Sequence, residues 1–440
     1  MRALLRTAAL SGAALLILSG CTDSGASFDR DSQVGPNPVL PEPNQYLVPP
    51  MHVAKAVGWK TGELPSVPAG LQIRAIATGL QHPRQPYVLP NGDILVVESN
   101  GPGTEPIERP KDLIMGLVQN FAGAGAKGGN RVTLLRDTNG DGIPDQQTVF
   151  LDHLHSPFGI ALVGGDLYVA NTDAILRFPY VTGQTRISAP GTVLTALPGG
   201  PIDHHWTKSL VASPDGSKLY VGIGSNSNIL ENGLAAENER ARIWQVDRAT
   251  GAHRSYATGL RNPSGLTFNP QTGALWAVVN ERDELGPNLV PDYMTSVKDG
   301  AFYGWPYSYY GQHADPRVHP QRPDMIAKAI APDYALSSHV APLGLLFYQG
   351  ASLPPQYRNG AFIGEHGSWD RGQFNGYRVS FVAFQDGKPV GKAKTIVDGF
   401  IGPDGAARGR PVALAVDKQG ALLIADDLGD TVWRVSAAGK

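Results

Sequence analysis

Four short segments of this chain carry side chains suited to gripping a flat, anionic ligand and moving a proton beside it. Asp203-His204-His205-Trp206 offers two imidazoles, and Arg261-Asn262 sets a cation next to an amide. Glu365-His366-Gly367-Ser368-Trp369-Asp370-Arg371 combines an imidazole, an indole and a guanidinium, and Arg408-Gly409-Arg410 spaces two cations two residues apart. Arginines bind carboxylates through paired N–H donors, and aromatic faces stack on ring systems. A histidine near its ordinary pKa accepts a proton at neutral pH, so either imidazole could take part in proton transfer. A fifth segment, Asp137-Thr138-Asn139-Gly140-Asp141-Gly142-Ile143-Pro144-Asp145, has a different chemistry. Oxygens of Asp137, Asn139, Asp141 and Asp145 fall at loop positions 1, 3, 5 and 9 with glycine at 6, a spacing that fits a hard cation such as Ca2+. Thr148 stands at position 12 in place of a bidentate glutamate, so a structural calcium loop and an ion-free acidic turn are both open readings.

Residues so far apart in sequence need a repetitive scaffold to meet, and the chain contains one. A proline-containing start, a short apolar strand, a turn and a second strand of β-branched or aromatic residues recur six times. The copies begin at His82-Pro83, Ser156-Pro157, Leu210-Val211, Asn262-Pro263, Ala341-Pro342 and Arg410-Pro411. Their spacing of roughly 50 to 80 residues is that of a four-stranded propeller blade with its loops. Asn91-Gly92 and Asp215-Gly216 supply hairpin turns. The expectation is an all-β fold, a six-bladed β-propeller over residues 70–440, against a β-sandwich as the alternative. In a propeller the loops before the inner strands converge at one mouth of the channel, and the four segments above occupy such places. Residues 104–127 interrupt the pattern and are expected to form an insertion with a short helix over one face.

Composition narrows the function. Gly 53 and Pro 36 suit a fold with many strand ends, and a net charge of −2 without any Lys/Arg run gives no support to a nucleic-acid partner. Residues 1–20 read as a secretory signal, with Arg2 and Arg6 ahead of an apolar stretch too short to span a bilayer comfortably. Leu18-Ser19-Gly20-Cys21 matches a bacterial lipobox, which makes Cys21, the only cysteine, the expected lipidation site. Thr22 after it favours the outer membrane, on its periplasmic side, with the membrane met through the lipid anchor only. The Pro- and Ser-rich residues 21–69 are expected to form an extended tether.

The motifs resemble those of the soluble quinoprotein glucose and sorbosone dehydrogenases, propellers that use pyrroloquinoline quinone (PQQ). Gly-Leu-Arg-Asn-Pro-Ser-Gly-Leu at 259–266 and Tyr303-Gly304-Trp305-Pro306 look like two of the family's elements, and Glu365-His366-Gly367-Ser368-Trp369 with His204-His205 looks closest to the sorbosone branch. The resemblance spans roughly residues 71–435. It implies PQQ and Ca2+ as cofactors, a sugar or sugar aldehyde as substrate, and a separate electron acceptor. It also implies His205 as base, Arg261 as the cation beside the reacting carbonyl, and Asn262, Arg408, Arg410, His366, Trp369 and Arg371 as cofactor-binding residues. Two departures stand out. Ser225 sits where the glucose enzyme has the aspartate that orients the histidine, and Glu281-Arg282-Asp283-Glu284 replaces the Gly-Pro pair that supplies calcium-binding carbonyls. The competing readings are a metal-dependent lactonase using Glu98, Glu281 and Asp426, and a non-catalytic binding propeller.

Overall fold

The structure is a computed structural model in which residues 29–46, 50–103, 106–107, 116–118, 120–123, 125 and 127–439 are described. Cys21 and the expected signal segment lie outside the described residues. Each of the six sequence copies forms the two innermost strands of one antiparallel blade. Blade 1 comprises Pro83–Val88, Ile94–Glu98, Arg131–Arg136 and Gln146–Leu151, and blade 2 comprises Gly159–Val163, Asp166–Ala170, Ala174–Pro179 and Thr192–Ala196. Leu210–Ala212, Lys218–Ile223, Arg242–Asp247 and His253–Thr258 make blade 3. Blade 4 starts at Asn262–Phe268, blade 5 at Pro342–Phe347 and blade 6 at Pro411–Val416. The fold is therefore the expected all-β, six-bladed propeller.

Blade 6 is completed from the other end of the chain. Leu71–Ala77 pairs with Thr431–Ala437, in register Leu71↔Ala437 and Ile73↔Val435, and so closes the ring. The closure leaves no unpaired edge at the seam. Apolar residues of neighbouring blades pack into shared clusters, such as Leu89, Leu95 and Val97 of blade 1 with Leu167 and Val169 of blade 2.

The inner strands come close where a small residue stands two places after the opening proline, as Gly159, Gly265, Gly344 and Ala413 do in four of the copies. A Cβ on Gly159 would lie 2.6 Å from the Lys208 carbonyl oxygen, and one on Gly344 would lie 2.4 Å from that of Val412. Gly265 approaches the Leu343 oxygen in the same way, at 3.0 Å. Proline opens the strand without needing to donate, and glycine lets the next blade's backbone in.

The segment expected to be a tether is, from Asp29 onward, a strap fixed to the propeller. Val34–Gly35 adds a fifth strand to blade 4, in register Val34↔Leu336. Further along, Asn44 N donates to Leu285 O (2.9 Å), His52 N donates to Trp369 O (3.2 Å), and Ala56 bridges to Ala407. Frequent prolines prevent a long ladder, but single N–H groups between them still find blade-loop carbonyls. The interruption at 104–127 is helical at residues 116–118 and 120–121, and Phe121 O accepts from Ala56 N of the strap at 3.2 Å.

The close approach of blades 5 and 6 is testable. Gly344→Ala is expected to destabilise the protein by about 2 kcal/mol through overpacking against Val412. Thermal unfolding monitored by circular dichroism reads this as a lowered midpoint, and an unchanged midpoint would contradict the packing argument.

Candidate functional site

The ends of the inner strands do converge, and they enclose a cavity of about 160 Å3 between blade 6 and blade 1. Its polar wall is His82, Arg84, His366, Arg410 and Asp427, and Trp206, Asn100, Ala122 and Gly123 close the other sides. Asp427, just beyond the second strand of blade 6, is 2% exposed. It accepts a hydrogen bond from Arg84 and pairs with His366 Nε2 at 2.9 Å. His82 Nδ1 lies 3.4 Å away. Burial by itself would raise the Asp427 pKa, but the charges of His366, His82 and Arg84 outweigh it and hold the carboxyl well below the usual carboxylate range. His82 is pushed down to about 4, first by burial and then by the neighbouring cations, against the pull of Asp427.

Arg84 pairs with Asp427, Arg410 lines the same cavity, and neither guanidinium is fully engaged. Arg84 Nε and Arg410 Nε are buried without an acceptor. The Arg84 guanidinium sits 5.3 Å from the Trp206 ring centroid and 5.5 Å from that of Phe158, and Arg410 sits 5.5 Å from Tyr377. These ring faces hold the cations in place without neutralising them. The cavity presents positive charge and free N–H donors beside an indole.

His205 lies in the adjoining cluster, between blades 3 and 4. Its Nδ1 donates to the Ser225 main-chain carbonyl at 2.7 Å, and the Ser225 hydroxyl, 3.1 Å from the same nitrogen, donates onward to Ser227 O. That fixes the Nδ1–H tautomer and leaves the lone pair on Nε2. The Ser225 main-chain carbonyl therefore orients the imidazole, at the position already noted as lacking an aspartate. Burial, Arg261 and His204 lower the His205 pKa well below its ordinary value, so the ring is neutral at neutral pH. Gly224 is required here, since a Cβ would meet His205 Cβ at 2.4 Å and Asn262 Oδ1 at 2.5 Å.

Lys208, fully buried, holds the loop that carries His205 and Trp206. Its Nζ donates to Trp206 O (2.9 Å), His205 O (3.4 Å) and Asp203 Oδ1 (3.4 Å). Burial brings its pKa down to about 8 against the opposing effect of Asp203. Arg240 shares Asp203 (2.8 Å) and reaches Gly224 O (3.2 Å), so one buried carboxylate ties the histidine loop to the segment that orients it.

Arg261 is 4% exposed and spends its N–H groups on Asn228 O, Asn228 Oδ1 and Glu281 O, at 3.2, 3.0 and 2.7 Å. It stands near His205 as a fixed cation, not as an open donor. Asn262 Oδ1 is buried without a donor. Arg408 turns away from Arg410 toward Asp404 (2.9 Å) and Glu63 of the strap (3.3 Å), because residues 408–410 form an irregular turn and not the strand that would align the two. Arg371 is buried and bonds Ser338 Oγ and Asn288 Oδ1, locking blade 5 to blade 4. Trp369 is half-buried and does not line the cavity.

The loop expected to hold calcium is held together by its own hydrogen bonds. In the 137–145 loop, Asp137 accepts from Gly140 N and Gly142 N, Asp141 accepts from Ile143 N, and Asp145 accepts from the Thr138 hydroxyl. Asn139 Oδ1 caps Asp141 N. The four side chains stabilise an acidic turn and do not gather around one point. Among the described residues, only Asp283, His339 and Asp370 bring three ligand-type atoms within 4.8 Å of one another. There His339 Nδ1 faces Asp283 Oδ1 (3.0 Å) and Nε2 faces Gly286 O (3.2 Å), so both nitrogens are donors. Burial opposes the charge, yet the Asp283 hydrogen bond and the Asp370 charge raise its pKa to about 9.

The lactonase ligands fare no better. Glu98 is held bidentately by Arg131 at 2.9 Å, Glu281 pairs with Arg282 at 3.0 Å, and Asp426 caps two indoles and two backbone N–H groups. Of the expected site residues, His366 and Arg410 reach the cavity, while His205, Arg261 and Asn262 cluster beside it. His82, Arg84 and Asp427 were not anticipated. His82 and Arg84 flank the first copy's proline, the position where the other copies were searched for chemistry.

Two family models match the chain: one described as Glucose / Sorbosone dehydrogenase over residues 164–368, and one described as TrAA12-like over residues 319–438. A Borreliella burgdorferi protein, named only as uncharacterised, is 28% identical over 292 residues, or 64% of this chain and 76% of its own length. The aldose sugar dehydrogenase YliI of Escherichia coli is 25% identical over 230 residues, 49% of this chain and 59% of that enzyme. That match spans less than two thirds of the relative. The solved holo form of the pyranose dehydrogenase PQQ domain from Coprinopsis cinerea shares the fold, with a TM-score of 0.68 at 18% identity, covering 88% of this chain and 100% of that one. The chain is therefore a six-bladed propeller whose residues 164–368 match the Glucose / Sorbosone dehydrogenase family model.

Proposed function

We propose that the protein oxidises an aldose or a related sugar aldehyde such as sorbosone, with PQQ as the bound electron acceptor. The observation that carries this reading is the pair of buried, acceptor-less Nε atoms of Arg84 and Arg410 facing one cavity beside Trp206. Such a wall suits a planar ligand bearing carboxylates, and related proteins are named for PQQ and for aldose sugars. Arg84 and Arg410 would hold the carboxylates, with Trp206 against the ring. When bound, PQQ supplies a carbonyl that takes the hydride from the sugar carbon. His205 takes the hydroxyl proton at Nε2, the nitrogen left basic by the Ser225 carbonyl. Arg261, fixed by its loop carbonyls, holds positive charge beside that transfer. The two electrons then pass to a separate acceptor. No step is assigned to calcium. The signal segment and lipobox support a lipoprotein on the periplasmic side, anchored through Cys21.

Titration of the purified full chain with PQQ, followed by absorbance and by dye-linked oxidation of an aldose panel and sorbosone, tests the reading. Binding should saturate, Arg84→Met and Arg410→Met should each weaken it about tenfold or more, and His205→Ala should lower kcat by roughly 100-fold or more with PQQ bound. Absence of PQQ binding would overturn the proposal, and lactone hydrolysis without quinone would replace it.

The pH profile follows from the depressed pKa of His205. A base whose pKa is lowered stays neutral as pH falls, so kcat is expected to hold between pH 7.5 and 6. A histidine at about 6.5 would already lose activity over that range. Ser225→Asp puts a carboxylate against Nδ1, raises the His205 pKa and should move the acid limb upward. An acid limb unmoved by that substitution would count against His205 as the base.

A further inference from the structure

The strap crosses the mouth beside the cavity, and one of its side chains reaches under the cavity wall. Trp59 Nε1 donates to Asp426 Oδ2 at 2.7 Å, and Trp433 Nε1 donates to the same oxygen at 3.0 Å. The other oxygen, Oδ1, accepts from Arg410 N (2.7 Å) and Gly429 N (2.8 Å). Arg410 O in turn accepts from Asp427 N at 3.2 Å. Both cavity residues therefore hang, through their main chain, on a fully buried carboxylate that the strap helps to satisfy.

The strap is seated firmly enough to do this. Val57 N donates to Ala407 O (3.0 Å), Ala407 N donates to Lys55 O (2.9 Å), and the Trp59 ring packs edge-on against Trp433 and Phe400, with centroids 5.3 and 5.7 Å apart. Glu63, four residues on, pairs with Arg408 at 3.3 Å and so leaves Arg410 as the member of that pair facing the cavity. Trp59 lies outside the residues matched by either family model.

We propose that Trp59 is a positioning residue for the cavity: its indole N–H, acting through Asp426, fixes Arg410 and Asp427 at the spacing a ligand carboxylate requires. The inference rests on reading the cavity as a carboxylate site. Four donors satisfy the two oxygens of Asp426. With one donor removed, a carboxylate that has no water to turn to rotates to recover a partner and carries the Arg410 main chain with it.

Calorimetric titration of the full chain with PQQ, and separately with citrate, decides the matter. Trp59→Phe keeps the ring packing and loses the N–H, and is expected to weaken both ligands about tenfold, the effect of losing a hydrogen bond to a charged group. Trp59→His, which restores a ring N–H, should recover most of the loss. In the Arg410→Met background Trp59→Phe should cost less than about twofold more, since coupled residues are non-additive. A purely structural role would make the two losses multiply, and that result, or wild-type affinity in Trp59→Phe, overturns the proposal. If the wild type binds citrate but not PQQ, the quinone reading fails and the Trp59 comparison is still decided on citrate. If it binds neither, the cavity is not a carboxylate site and both fail.

Discussion

A single buried carboxylate, Asp427, organises the channel mouth. Taking an ion of that size out of water costs several kcal/mol, and the cost is offset only by close partners. Those partners come from both sides of the seam where the propeller closes: Arg84 and His82 from blade 1, and His366 from blade 5. The same seam is tied by Leu71–Ala77 on blade 6 and by Asp430, which accepts from His82 N at 3.0 Å. Ring closure and cavity electrostatics are therefore one constraint. Removing the carboxylate would leave Arg84 without its ion pair and two guanidiniums lining one cavity. The surplus of one positive charge is what remains for a ligand.

Two histidines within the same mouth have opposite electrostatic roles, each set by what its nitrogens face. His205 faces one carbonyl, with Arg261 and Arg240 adding positive charge nearby, so the neutral form with a basic Nε2 is favoured. His339 faces a carboxylate on one side and a carbonyl on the other, so both nitrogens must donate and the ring is a cation. Sequence type alone does not separate a base from a buried counter-ion. The acceptor chemistry around each ring does.

The fold was legible because its signal is repeated. A short apolar strand, a turn and a second strand of β-branched or aromatic residues recur six times, four copies adding a proline with a small residue two places on, and every copy forms the inner strands of one blade. The strap was missed for the converse reason. Its prolines and polar residues read as a tether by composition, and the isolated backbone N–H groups that fix it to Leu285, Trp369 and Ala407 leave no pattern in sequence. At the site, His366 and Arg410 were found from their place before or after an inner strand. His82 and Arg84 obey the same rule, but the first copy was read only as a strand start. Arg408 leaves the cavity because Gly409 packs against Asp426 in a turn that sends the two arginines apart, a local geometry their spacing does not reveal.

The choice among chemistries on a common fold turns on which polar groups are still unsatisfied. A hydrolase that activates water on a metal needs carboxylates with free lone pairs converging on one point. Here Glu98, Glu281 and Asp426 sit on separate blades and do not converge; Glu281 keeps one oxygen without a donor, while Arg131, Arg282 and the two indoles engage the others. The unsatisfied groups at the cavity are instead donors, on Arg84 and Arg410. A scaffold propeller has no reason to keep buried guanidinium N–H groups unpaired, since each costs stability as long as nothing accepts from it. Free donors, positive charge and an indole face together call for an anionic ring to complete them, and the neutral imidazole next door then has a proton to take.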